Sequence, residues 1–383
     1  MVIAKMRERY RRATKKAKGE MLAHLIAAHR YNRNYAARLL RGGQAAQRVA
    51  CDDGRGRPAC YTRVYPVLKR IWRWYDYVCG KRLAAILPEA LGKLEACGEL
   101  VVDNEQRTLL RRISARTIDR LLAAGRRALQ PRGRACTRPG SLLKHQIPVK
   151  TFAEWRDSEP GYTAMDCVGH DGGTAYGEFN YTLVVTDVAT GWTELRAVRN
   201  KAQTWVFAAL MELREQFPCA LRGIHSDNGS EFINGHLARW CAAERITFTR
   251  SRPHRANDNC HVEQKNWSVV RRAVGYGRHC GDEAVLNRLY DVLRLYTNYF
   301  MPVMKCIDKT RHGSRVTRHY DAATTPYARM LASAQVPEPV KARLRAIYAQ
   351  LNPVALKRDI TRVQGILVRR AARHSAGRPE VLV

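Results

Sequence analysis

The feature that most constrains the fold is a change of apolar rhythm near Tyr162. Up to about residue 130, apolar residues recur every three to four positions, the spacing of helices that bury one face. From Tyr162 they gather in short alternating or continuous runs over 162–168, 179–188 and 193–198, with Ala189-Thr190-Gly191 as a turn. A helix is then expected over about 201–217, a strand over 221–226, a helix over 232–244, a strand over 246–250, and a helix from near Asn259. Three strands in succession, then helix and strand in alternation, predict a mixed five-stranded sheet flanked by helices over residues 161–304.

The flanks read differently. Leu22, Leu25, Ile26 and His29 mark one helix and Tyr35, Leu39 and Leu40 a second, which stops at Gly42-Gly43. Two short helices joined tightly predict a helix-turn-helix in residues 1–50, with Arg33, Asn34 and Arg38 on the reading helix. Residues 51–61 are a linker. Its Arg55-Gly56-Arg57-Pro58 resembles an AT-hook, in which Arg55 and Arg57 would enter a narrow minor groove; a plain flexible linker is the alternative. A second helical domain spans 62–130, with Val64, Val67, Leu68, Ile71, Tyr75 and Val78 inward. Ser114 is expected to cap a helix that turns Arg116, Thr117 and Arg120 to solvent. Residues 131–160, rich in Pro and Gly, are a linker. Residues 305–383 return to helix, the last one with Lys357, Arg358, Arg362, Arg369 and Arg370 on its outer face.

Charge follows the same divisions. The formal net charge is +33, distributed as +23 over 1–150, −1 over 151–304 and +11 over 305–383. A near-neutral middle between two basic arms is the footprint of phosphate binding, so double-stranded DNA is the expected partner. Eleven cysteines without a CxxC pair argue against a disulfide framework and for a reducing compartment; no zinc is expected. No apolar run approaches 18 residues, so no membrane association is expected. A phosphate-binding Gly-x4-Gly-Lys-Ser/Thr loop is absent, hence no ATP. These features suit a soluble, intracellular protein.

The middle carries a specific set of acids. Asp166 lies within the first strand. After sixty intervening residues, Asp227 stands at the end of a short strand in Ser226-Asp227-Asn228-Gly229-Ser230-Glu231-Phe232, and Glu263 follows after 35 more. Two aspartates and a glutamate can hold a pair of magnesium ions for in-line attack on a phosphodiester. With Met165-Asp166 and Asn259-Cys260-His261-Val262-Glu263-Gln264-Lys265-Asn266, this segment resembles the catalytic core of the retroviral-integrase-like DDE transposases of bacterial insertion sequences. Cys260 stands where a small Gly or Ala is usual.

The resemblance implies an RNase H-like core in which Asp166, Asp227 and Glu263 are the catalytic and metal-binding residues, with two Mg2+ ions that Mn2+ can replace. It implies a transposase that binds terminal inverted repeats, cleaves the element ends and joins the 3′-hydroxyls to target DNA, as a homo-oligomer of at least two copies. Phosphate contacts are expected from Asn228, Arg252, His254, Arg255 and Lys265. His225 and His261 are expected to hydrogen-bond rather than bind metal, Asp187 to shape a turn, Asp171 to lie in a loop and Glu231 to be structural. Two alternatives are a non-catalytic DNA-binding regulator derived from such an enzyme and a structure-specific nuclease.

Overall fold

The computed structural model describes residues 2–29, 33–41, 61–127, 159–227, 229, 231–251, 260–312 and 315–376. The chain divides into two compact units, 1–60 and 61–383. In the first, helices α1 (Val2–Arg12), α2 (Lys15–His29) and α3 (Arg33–Leu40) enclose Tyr10, Leu22, Leu25, Ala36 and Leu40. Arg7 Nε donates to the Leu39 carbonyl at 2.8 Å and ties α1 to α3.

The second unit opens with α4 (Tyr65–Trp74), α5 (Gly80–Ala96), α6 (Asn104–Arg112), α7 (Ala115–Leu121) and α8 (Ala123–Arg127). Asp103 and Gln106 form a capping box at the start of α6, and Ser114 Oγ accepts from Thr117 N at 3.2 Å at the start of α7. Only two residues separate α6 from α7. Glycine is required at position 80, because an added Cβ would lie 2.1 Å from the Ala115 carbonyl.

The sheet follows as β1 (Tyr162–Gly169), β2 (Tyr181–Asp187), β3 (Thr193–Val198), β4 (Gly223–Ser226) and β5 (Thr247–Arg250), in the order β3-β2-β1-β4-β5. β1 pairs antiparallel with β2 and parallel with β4; β4 and β5 are parallel. Met165, Leu183 and Val185 face α9 (Gln203–Gln216) and α10 (Gly235–Ala243). Ala164, Val168, Val184 and Leu195 face the other layer: α11 (Cys260–Lys265), a π-helical segment (Asn266–Arg271), α12 (Arg272–Val274) and α13 (Glu283–Phe300). This alternation of faces along each strand is what makes a two-layered core from apolar strands. Every sheet strand lies where the sequence rhythm put it, within two or three residues at each end.

Beyond α13 come β6 (Cys306–His312) and β7 (Arg315–Tyr320), which pair as an antiparallel hairpin, then α14 (Pro326–Ala332), α15 (Glu338–Gln350) and α16 (Pro353–Ala376). The expected helical tail is therefore preceded by a ribbon that its polar sequence does not announce. Asn352 Oδ1 caps α16 by accepting from Val354 N at 2.9 Å.

The basic face of α16 also differs from expectation, because three of its cations do not simply face solvent. Lys357 reaches Asp76 at 3.0 Å, Arg358 reaches Glu99 at 2.8 Å, and Arg370 reaches Asp282 at 2.8 Å. Through these pairs the tail is bound to the segments around α4 and α5 and to the start of α13.

Candidate active site

In the parallel pair β1–β4, Met165 stands opposite Ser226. The next residue on each chain is an aspartate, so the register sets Asp166 and Asp227 side by side where β4 ends. Asp166 shares its face of β1 with Ala164 and Val168, the face covered by Val262 of α11. That helix carries Glu263.

Both aspartates are held by local donors. Asp166 Oδ1 accepts from Cys167 N at 2.7 Å, and its Oδ2 accepts from Asn266 Nδ2 at 2.6 Å. Asp227 Oδ1 accepts from Gly229 N at 2.9 Å. Position 229 lies close against Glu231: a Cβ there would be 2.6 Å from Glu231 Cδ, so the Glu231 carboxylate would have to shift. The glycine thus lets the backbone fold tightly behind Asp227.

The acids sense one another. Burial, then the charge of Asp227, pushes the Asp166 carboxyl up to about 7, with a smaller contribution from Glu263; the Asn266 and Cys167 hydrogen bonds oppose this. Burial also raises Asp227, against the Gly229 N–H and the positive charge of Lys201. Glu263, at the exposed rim, is raised by partial burial and then by Asp227. Three acids distant in sequence therefore share one electrostatic site.

Among the described residues, no three His, Cys, Asp or Glu side chains already stand in ion-holding geometry. The β1–β4 register supplies the aspartate pair, and Glu263 stands exposed on α11. The surroundings nevertheless fit a divalent cation. Every donor is a hard oxygen, and two buried oxygens nearby lack partners: Asn266 Oδ1, on the amide that holds Asp166, and Glu231 Oε2, behind Gly229. Such orphaned acceptors are costly unless a cation or its water reaches them.

Other sequence expectations resolve as follows. Asp187 shapes the β2–β3 turn, its Oδ1 accepting from Thr190 N at 2.7 Å and its Oδ2 from Gly161 N at 2.7 Å. His225 is buried and bonds Thr249 Oγ1 at 2.9 Å and Ser251 Oγ at 3.0 Å. Asp171 lies in the loop after β1, where its Oδ1 accepts from Gly173 N. Arg116 and Arg120 are exposed on α7, Thr117 is half-buried in the cap of that helix, and Arg33 is exposed at the start of α3.

Lys265 requires a correction. It is 5% exposed and donates to the Gly191 carbonyl at 3.1 Å, so as placed it braces the β2–β3 turn instead of reaching outward to a phosphate. The side chains of Asn34, Arg38 and His261, and residues Arg55, Arg57, Asn228, Arg252, His254 and Arg255, lie outside the described part of the structure.

Two residues with a place in the site carry no role in the sequence reading. Asn266 lies three positions after Glu263, one helical turn on, a spacing that could have revealed it. Lys201, in the turn between β3 and α9, reaches Asp227 only through the fold and leaves no local signal.

Residues 157–256 match the family model described as "Integrase core domain", a span that includes Asp166 and Asp227 and ends before Glu263. The middle of the chain is thus an RNase H-like integrase core, and its activity is of the polynucleotidyl-transferase class that serves DNA recombination by transposases and integrases. The chain is also 40% identical, over 328 residues, to the uncharacterized protein y4rM of Sinorhizobium fredii, an alignment covering 84% of this chain and 92% of that one. It belongs to the same family as that protein. Solved structures with similarity include the catalytic core domain of BIV integrase (19% identity, 44% of this chain and 91% of that chain, TM-score 0.29). Another is the HTLV-2 integrase catalytic core domain in complex with magnesium, in a dimeric form (12% identity, 38% and 90%, TM-score 0.28).

Proposed function

We propose that this protein is a transposase that cleaves the DNA at the ends of its own mobile element and joins the freed 3′-hydroxyls to target DNA. The observation that carries this reading is the side-by-side placement of Asp166 and Asp227 across the β1–β4 register, with Glu263 coupled to Asp227 and Asp166. Asp166, Asp227 and Glu263 would hold two Mg2+ ions, which when bound neutralise charge on the phosphoryl group and acidify the attacking hydroxyl or water. The protein's own part is positional. Asn266 fixes the Asp166 carboxylate, Gly229 N–H fixes that of Asp227, and Lys201 offsets negative charge beside it. Glu263, on α11, would complete the set of ligands.

In this reading α2–α3 and α6–α7 serve as helix-turn-helix modules on the element ends, with the exposed Arg33, Arg116 and Arg120 toward DNA. Joining two ends in one event calls for at least two copies of the chain.

The test uses labelled DNA from the borders of the element with Mg2+. Wild type is expected to nick the ends and yield strand-transfer product. Asp166→Asn, Asp227→Asn and Glu263→Gln should abolish nicking while end binding is kept. Binding without nicking by the wild type would identify a regulator, and nicking without any joining would identify a nuclease.

A further inference from the structure

The reading above leaves the hairpin β6–β7 without a task. Among the described residues, none from Cys306 to Tyr320 belongs to a hydrophobic core cluster, and Ile307 and Tyr320 stand 63% and 49% exposed. An isolated two-stranded hairpin is marginal in water, so one with no described residue in a core calls for another source of order.

Its root, by contrast, is firmly built. Val303 and Thr324 exchange both backbone hydrogen bonds at 3.0 Å, and Asp321 Oδ1 accepts from Lys305 N at 2.7 Å. Arg329 bridges to Asp321 at 2.8 Å, and Lys305 Nζ donates to the Ala189 carbonyl at 2.8 Å. Two residues further along that same turn, Gly191 accepts from Lys265, two positions after Glu263. The root of the ribbon is therefore fixed to the turn that braces the helix of the third carboxylate.

The strands carry Lys309, Arg311, Arg315 and Arg318 with His312 and His319 against a single acid, Asp308. Their register sets Lys309 opposite Arg318. Like charges directly opposed weaken a ladder, and nearby anions would relieve that repulsion. A second copy of the chain is a poor candidate to supply them. The register shift between Cys306 and Asp308 marks a bulge, and bulges and edge lysines discourage strand-to-strand pairing.

We infer that β6–β7 is a DNA-binding ribbon that enters a major groove of the bound duplex. This rests on the proposed action on DNA and adds where the duplex is gripped. Two strands about 4.8 Å apart fit a groove about 12 Å wide. Seven residues at about 3.3 Å each give β6 a reach of roughly 20 Å. Phosphates flanking the groove would meet the four cations, while the exposed Ile307 and Tyr320 supply apolar contact near the root.

The experiment compares the full-length wild type with a variant carrying Lys309→Glu, Arg311→Glu, Arg315→Glu and Arg318→Glu, and with one in which residues 306–320 are replaced by a short Gly-Ser link. Equal melting temperatures establish that each variant is folded. Each phosphate contact contributes about 0.9 to the salt dependence of binding, so losing two to four contacts should lower the slope by about 2 to 4. Interference by N7-methylated guanines, which report the major groove, should disappear at a subset of positions in both variants. An unchanged slope and interference pattern in folded variants would overturn the inference while leaving the proposed function intact. So would loss of self-association with DNA contacts unchanged. A wild type that neither binds nor cuts DNA would instead remove the reading beneath it.

Discussion

Asp166→Asn should make the metal-free protein more stable at pH 8, although it destroys the active site. The Asp166 carboxyl is raised from 3.8 to about 7, first by burial and next by Asp227. Between these values the folded state holds a proton that the unfolded state has released, so stability falls as pH rises through this window. About three units at about 1.4 kcal/mol each set a ceiling near 4 kcal/mol. Because Asp227 shares in the repulsion and the site is not wholly closed, a gain on the order of 1–3 kcal/mol is expected at pH 8, a few degrees in melting temperature. The replacement carboxamide is isosteric with the protonated acid. Its oxygen can still accept from Cys167 N, and Asn266 can turn its unpartnered Oδ1 toward the new amino group. At pH 4, where the wild-type carboxyl is protonated, the two proteins should melt together. Mg2+ at pH 8 should raise the wild type and leave the variant unmoved. Scanning fluorimetry in EDTA and in Mg2+ at both pH values suffices. A variant less stable than wild type in EDTA at pH 8 would refute the electrostatic reading of the cluster.

The other predictions are simpler. Asn266→Ala removes a bond that lowers the Asp166 pKa, so the acid limb of the pH–rate profile for end cleavage should move upward and the rate near pH 7 fall about 10- to 100-fold, as outer-shell losses at metal sites do. Arg294→Ala leaves Glu194 fully buried without the cation that meets it at 2.5 Å, and should lower stability by about 3–5 kcal/mol in urea denaturation. Lys265 is held down to about 7 by burial, so the folded state resists its protonation and stability should rise with pH from about 7 to 10. Lys265→Met should flatten that rise, visible in melting curves, and leave the salt dependence of DNA binding unchanged.

What could be read from the sequence is what is encoded locally. The alternation of apolar residues gives the five strands, because each face of the sheet meets a different helical layer. The short strand ending at Asp227 fixes that carboxylate, and Ser114, Asp187 and Asn352 announce their caps and turn by side-chain chemistry alone. The hairpin was hidden because its mainly polar strands have no apolar period to display. Lys265 misled for a related reason: a lysine in an exposed-looking helix start gives no sign that a turn 74 residues earlier waits for its ammonium. Pairs such as Lys357–Asp76, 281 residues apart, belong to the same class, since only the assembled fold brings them together.

The sheet also limits how copies of this chain can associate. β3 is an edge strand, and open edges invite pairing with another chain. Here α13 covers it with side-chain amides. Asn298 accepts from Thr193 N at 2.8 Å and donates to the Thr193 carbonyl at 2.9 Å, while Asn287 accepts from Ala197 N at 2.7 Å. Arg294, between them on the same helix, holds Glu194 of β3. The edge that would otherwise accept a neighbour's strand is thus occupied from within. At the opposite edge β5 offers only four residues. Copies of this chain are therefore not expected to associate by extending the sheet across β3.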